Sequence, residues 1–199
     1  MWWFLRSRPP GVTLTGPHIL LRAPVARDAK AWAALRQQSQ KFLKPWEPTW
    51  PPDGASRAAF RRRHAQIREE WRAGSGYGFL IFERTGSALV GGITLSNIRY
   101  GVSASGSLGY WIGQPYSRRG YMTEAIACVL EYAFGPLNLH RVEAACLPHN
   151  DASRGLLLKC GFREEGLARG YLKIDGRWRD HLLFGILRGD PRPVGGNGR

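Results

Sequence analysis

The sequence predicts a mixed α/β (α+β) fold: one layered domain in which antiparallel hairpins and crossover helices share a single sheet. Three observations carry this. The chain has 199 residues, 43% of them hydrophobic, which suits one ordinary domain with a sizeable core and not a disordered chain. Helical and strand periodicities alternate from His18 to Leu187 with no linker in the middle to divide them. Turn signals, Thr85-Gly86-Ser87 and Asp175-Gly176, fall between pairs of apolar runs, as in hairpins.

Residues 1–16 read as an irregular arm, because Pro9-Pro10-Gly11 interrupts any regular element. The domain proper spans 17–187. His18 to Arg22 is a strand stopped by Pro24, and Val25, Ala29, Trp32 and Ala33 then recur at helical spacing as far as Gln38. Lys44-Pro45-Trp46-Glu47-Pro48-Thr49-Trp50-Pro51-Pro52 reads as an aromatic-rich loop, since prolines remove amide donors from helix and sheet alike. A second helix carries Phe60, His64, Ile67 and Trp71 on one stripe, with Arg57, Arg61, Arg62, Arg63, Arg68 and Arg72 outside it. Tyr77 to Arg84, Ala88 to Ile98 and residues 106–113 are strands. Met122, Ile126, Val129, Ala133 and Phe134 mark a helix that ends near Gly135-Pro136. Residues 139–147 alternate as a strand, Asn150 to Cys160 form a helix stopped by Gly161, and 162–173 with 177–187 close the domain as a hairpin. The tail, 188–199, is poor in apolar residues and is expected to be disordered.

Composition bounds the function. The formal net charge of +14 favours anionic partners: a phosphorylated cofactor, nucleic acid or acidic protein. Cys128, Cys146 and Cys160 have neither disulfide nor metal-site spacing, so no metal is expected and buried free thiols in a reducing compartment are. No run of about 18 apolar residues exists to span a membrane. The apolar start, Met1-Trp2-Trp3-Phe4-Leu5, is too short for a signal peptide. A cytoplasmic protein is expected.

The stretch richest in chemistry runs from Gly109-Tyr110-Trp111-Ile112-Gly113 through Gln114-Pro115-Tyr116-Ser117-Arg118-Arg119-Gly120 to Tyr121-Met122-Thr123-Glu124-Ala125. A strand runs into a loop with one glycine and two arginines, then into an amphipathic helix. The first amides of that helix lack intrahelical acceptors, and its dipole is positive there. Gly120 permits close approach, and Arg118 and Arg119 offer charged donors: the ingredients of a pyrophosphate cradle. The competing reading is a basic loop capping an ordinary helix.

Ser117-Arg118-Arg119-Gly120-Tyr121-Met122 resembles the loop of the GNAT N-acetyltransferase superfamily, Gln/Arg-x-x-Gly-x-Gly/Ala. It keeps the central glycine and departs at the first and last positions. Its continuation, Gly120-Tyr121-Met122-Thr123-Glu124-Ala125, is similar to the RimJ/RimL group. Arg141-Val142-Glu143-Ala144, then Asn150-Asp151-Ala152-Ser153, then Lys159-Cys160-Gly161-Phe162 resemble the second block of that group. Glu165 to Tyr171 with Trp178-Arg179-Asp180-His181 resembles its closing hairpin. The resemblance covers about residues 17–187.

The resemblance implies a mostly antiparallel central sheet with flanking helices and a splayed strand pair, holding acetyl-CoA as cosubstrate. Backbone groups of Trp111, Ile112 and Gly113 would bond the pantetheine arm like an added strand. Arg118, Arg119, Gly120, Tyr121, Met122 and Thr123 would hold the pyrophosphate, and Asn150 would contact the arm. A neutral amine then attacks the thioester directly. Ser153 is the candidate acid for the departing thiolate, against a first-turn serine satisfying its own backbone. Tyr171 is the second candidate, against a core tyrosine. Glu47 is the candidate groove carboxylate for relaying the amine's proton, against an exposed loop glutamate; Glu143 and Asp180 are weaker. Asp180 could instead pair with an arginine. Glu124 reads as structural. The group's acceptors point to a protein N-terminus, possibly ribosomal, with no specific DNA, no membrane, and a monomer or homodimer. A small-molecule acetyltransferase of aminoglycoside or polyamine type is the alternative, and the arginine-rich helix leaves a non-enzymatic nucleic-acid binder as a third reading.

Overall fold

The computed structural model describes residues 11–192. Its elements, in chain order, are β1 (Thr13–Thr15), β2 (Ile19–Arg22), α1 (Ala29–Gln38), α2 (Gln40–Leu43), α3 (Arg57–Ala73), β3 (Tyr77–Glu83), β4 (Leu89–Arg99), β5 (Ser105–Ile112), α4 (Tyr121–Phe134), β6 (Arg141–Cys146), α5 (Asp151–Lys159), β7 (Arg163–Ile174) and β8 (Arg177–Leu187). The eight strands form one sheet in the order β1-β2-β3-β4-β5-β6-β8-β7. Every adjacent pair is antiparallel except β5 and β6. A parallel pair needs a crossover, and α4 supplies it.

Two expectations are corrected. The stretch read as an irregular arm contains β1, whose Thr13 pairs with Arg22 and Thr15 with Leu20; the rest of that reading, residues 1–10, lies outside the described residues. The Lys44–Pro52 loop opens with one tight 3-10 turn, Lys44–Trp46. Pro45 fits there because a first-turn residue has no intrahelical amide bond to lose. Of the tail, Asp190 accepts from the Leu187 amide at 2.9 Å and lies 3.2 Å from Arg163; residues 193–199 lie outside the described residues.

Local chemistry sets the helix limits. Ser56 caps α3 by accepting from the Ala59 amide at 3.0 Å, and Gly74 ends it at φ +65°. Asn150 caps α5 by accepting from the Ser153 amide at 3.1 Å. Strand alternation then sorts the core. Trp111 packs with Trp32 and Leu35 of α1 and Phe60 of α3, whereas its neighbours Tyr110 and Ile112 pack against the main core. That core includes Ile126, Val129 and Leu130 of α4, Val142 of β6, Leu157 of α5, and Phe184 and Ile186 of β8. Glu124 is structural, through more than the helix dipole. Its carboxylate accepts from the amides of His18 (2.7 Å) and Ile19 (3.1 Å), tying the first turn of α4 to β2.

Phe184 is 1% exposed and joins the closing hairpin to this core. Phe184→Ala is expected to lower the unfolding free energy by about 3–5 kcal/mol, read as a fall in the urea midpoint at constant slope.

Candidate functional site

The site begins where two parallel strands part. β5 and β6 are paired from Ser105↔Arg141 to Leu108↔Ala144 and no further. Beyond that point Gly109 to Ile112 keep β4 as a partner, and Ala145 and Cys146 keep β8. The facing edges of β5 and β6 therefore carry backbone donors and acceptors with no strand between them, an opening suited to an extended amide-bearing chain. Both strands end on the same side of the sheet. The helices that follow them, α4 and α5, start at the mouth of the opening, where parallel α/β sheets characteristically bind ligands.

The start of α4 has the form of an anion cradle. Gly120 caps it at φ +84° and contributes no side chain, and Arg118 also sits in the left-handed region at φ +60°. The first intrahelical bond runs from Glu124 N–H to the Gly120 carbonyl at 3.1 Å, which leaves the amides of Tyr121, Met122 and Thr123 without helical acceptors. A Cβ on Gly120 would meet open space, so it is the positive φ that calls for glycine at this position. Arg118, Arg119 and Gly120 are exposed. Tyr121 directs its hydroxyl to Glu83. These residues fit a diphosphate-bearing group. Gly113 fits an open edge less well than Trp111 and Ile112. Its amide donates to Val90 (2.8 Å) and its carbonyl accepts from Tyr116 (2.9 Å), because β5 has already turned into a 3-10 turn, Gln114–Tyr116.

Across the opening, Ser153 of α5 meets Tyr110 of β5, oxygen to oxygen at 2.7 Å. Burial raises the phenol of Tyr110 well above its ordinary range, so it stays protonated. Asn150 spends its side-chain oxygen on the Ser153 amide, leaving its side-chain NH₂ as its remaining donor. The Cys146 thiol is also raised by burial, an effect that the neighbouring Ser153 partly offsets.

The remaining candidates are placed differently from one another. Both Glu47 carboxylate oxygens are engaged: Arg36 donates to them at 2.7 and 2.6 Å, and the Trp50 indole donates at 2.7 Å. The reading of Glu47 as an exposed loop glutamate is thereby corrected. A carboxylate with three donors is also poorly placed to take a proton. The Glu47 carbonyl accepts from the Asp175 amide at 3.2 Å, which joins the loop to the tip of the β7–β8 hairpin. Tyr171 is 47% exposed and stands edge-on to His181, not in the core. Asp180 accepts from the Gly170 amide at 2.8 Å and pairs with no arginine among the described residues. Glu143 bonds Arg141 at 2.9 Å.

Sequence reasoning missed two residues. Tyr110 alternates with Leu108 and Ile112, which marks an inward face, and Arg36 lies one helical turn from Trp32, on the buried stripe of α1. Arg36 is 8% exposed, with its guanidinium over Trp50 at 4.0 Å, Trp111 at 5.0 Å and Trp32 at 5.5 Å.

The acetyltransferase (GNAT) domain family model matches residues 18–163. The chain is 35% identical over 188 residues to the [ribosomal protein uS5]-alanine N-acetyltransferase of Escherichia coli K12, spanning 94% of this chain and 97% of that protein. RimJ of Mycobacterium smegmatis, solved with CoA-disulfide, matches with a TM-score of 0.82 and 36% identity over 89% of this chain and 86% of that one. The ribosomal-protein-S5-alanine acetyltransferase of Vibrio fischeri matches with a TM-score of 0.82 and 28% identity over 92% of this chain and all of that one (100%).

The Arg36–Glu47 pair is largely buried, with side chains 10% and 20% exposed. Glu47→Ala strands the guanidinium and is expected to cost about 3 kcal/mol in urea unfolding. Replacing both with methionine is expected to cost clearly less than the sum of the two single changes.

Proposed function

Because this chain belongs to the acetyltransferase (GNAT) domain family, we propose that it acetylates the N-terminal α-amino group of a protein, foremost a ribosomal protein. It is an acetyl-CoA-dependent N-acetyltransferase. The observation that carries the mechanism is the unpaired edge of β5 leading directly to the free amides at the start of α4. In this reading Trp111 and Ile112 bond the pantetheine amides. Arg118, Arg119 and the Gly120–Thr123 backbone hold the diphosphate, and Asn150 offers its NH₂ to the arm. Gly113 contributes only what its internal bonds leave free.

The acceptor attacks as a neutral amine. An α-amino group has a pKa of about 8, so roughly a tenth is neutral at pH 7 and no strong base is required. As the new amide bond forms and the carbon–sulfur bond breaks, the Ser153 hydroxyl passes its proton to the departing sulfur and takes up the proton shed by the amine. Tyr110 donates to the Ser153 oxygen, turning the serine's own hydrogen toward the opening. Tyr110 keeps its proton throughout, as its raised phenol pKa favours. Cys146 is a weak rival as an acyl-carrying nucleophile, because a buried, protonated thiol attacks poorly. Tyr171 remains the second acid.

Glu47 serves this reading as a positioning residue. Its side chain holds the loop to α1, and its backbone holds the loop to the hairpin tip. The same bonds weigh against a polyamine or aminoglycoside acceptor, since the carboxylates of Glu47 and Asp180 already have internal partners and offer little to a polycation. A reducing cytoplasm suits the three free cysteines.

A thiol-release assay with peptides beginning in Ala or Ser, set against spermidine and an aminoglycoside, tests the acceptor. Turnover confined to the small amines overturns the peptide reading. Gly120→Asp is expected to weaken acetyl-CoA binding at least about tenfold through charge repulsion at the cradle. Ser153→Ala is expected to lower kcat about 10²- to 10⁴-fold with little change in the KM for acetyl-CoA. Tyr110→Phe is expected to lower kcat less, again at constant KM, while an unchanged kcat removes Tyr110 from the mechanism. The acid limb of kcat/KM should follow the acceptor's own pKa and shift when peptides of different amine pKa are compared.

A further inference from the structure

The outer face of α3 takes no part in this chemistry, and its charge is arranged in a definite way. At 100° per residue, Arg57, Arg61, Arg68 and Arg72 fall within about 60° of arc and extend about 22 Å along the helix. All four are exposed, whereas Phe60, Ile67 and Trp71 are buried on the adjoining face. Arg57, Arg61 and Arg68 have no carboxylate within salt-bridge distance among the described residues, and Arg72 has only the exposed Glu69 at 3.2 Å. A solvated helix face ordinarily mixes signs. Here Arg57–Arg61 and Arg68–Arg72 are like-charged pairs at i,i+4, which destabilise the helix. A polyanion laid along the stripe would turn that repulsion into attraction.

We infer that the arginine stripe of α3 is a docking face for RNA. Arginine's planar fork matches phosphate oxygens bidentately, and four forks in line suit a phosphodiester backbone without reading its sequence. The stripe itself carries no large apolar side chain to enter a lipid surface, since the helix's large apolar residues, Phe60, Ile67 and Trp71, face inward. The face is also connected to the acceptor side. α3 packs on α1, and α1 carries the Arg36 that holds the 44–52 loop. An enzyme standing on RNA through α3 would thus present its groove to protein termini emerging beside that RNA. The inference concerns RNA contact and does not depend on which amine is acetylated.

The test is fluorescence anisotropy of the full-length protein with a labelled RNA stem-loop over a KCl series. R61Q/R68Q is expected to lose at least about tenfold in affinity, and its log K against log salt slope should fall by about 1.4–1.8, at 0.7–0.9 per phosphate contact. K159Q/K173Q removes the same charge from two exposed positions on other elements and is expected to bind like wild type. Acetyl transfer to a short free peptide is expected to be unchanged in R61Q/R68Q, which separates this test from the catalytic reading. RNA binding retained by R61Q/R68Q overturns the inference. So does an equal loss in K159Q/K173Q, a parallel loss of peptide turnover, or equally stripe-dependent binding of polyglutamate or phosphatidylglycerol vesicles.

Discussion

The parting of β5 from β6 is the constraint from which the rest of the site follows. Up to Leu108 and Ala144 the two strands satisfy each other. From Gly109 onward β5 has one bonded edge and one open edge. Backbone polar groups must be paired or solvated, so an open edge in the middle of an eight-stranded sheet is tenable only where solvent or a ligand completes it. The parallel orientation of this one pair also sends both strands toward helix N-termini on the same side. An unpaired strand edge, the free first amides of α4 and the Ser153 hydroxyl are therefore brought to one mouth by topology.

The opening is held by features that cost the fold something. Gly120 and Arg118 occupy left-handed backbone conformations at the cradle. Arg36 is buried among three indoles, and its Nε has no hydrogen-bond partner among the described residues. Burying that charge is tolerable only because Glu47 meets it with two oxygens. The arrangement fixes the 44–52 loop against both α1 and the tip of the closing hairpin.

The order and type of the elements were legible in the residues because their periodicities were strong and their ends were chemically marked. Gly74, Gly161 and the Asp175-Gly176 turn all adopt positive φ where the chain reverses or stops. The strand Thr13–Thr15 was not legible. Three residues between a Pro-Pro-Gly stretch and Pro17 carry no measurable period, and only pairing with β2 makes them a strand. The glycine-capped start of α4 was legible because that loop and helix are contiguous in sequence. Arg36 and Tyr110 were hidden because their roles depend on partners outside the local window: Tyr110 and Ser153 are 43 positions apart, and Glu47, though a candidate, looks solvent-bound until Arg36 is brought to it. A polar side chain in a local window does not reveal whether its partner is water, another residue or a substrate.

In the proposed binding mode acetyl-CoA completes the open edge of β5 and the first turn of α4 together. Amide hydrogen exchange with and without CoA measures both at once. Protection is expected to rise in Tyr110–Ile112 and in Tyr121–Thr123 on adding CoA, with β1 to β3 unaffected. Binding that leaves both segments exchanging at their free rates would contradict that binding mode.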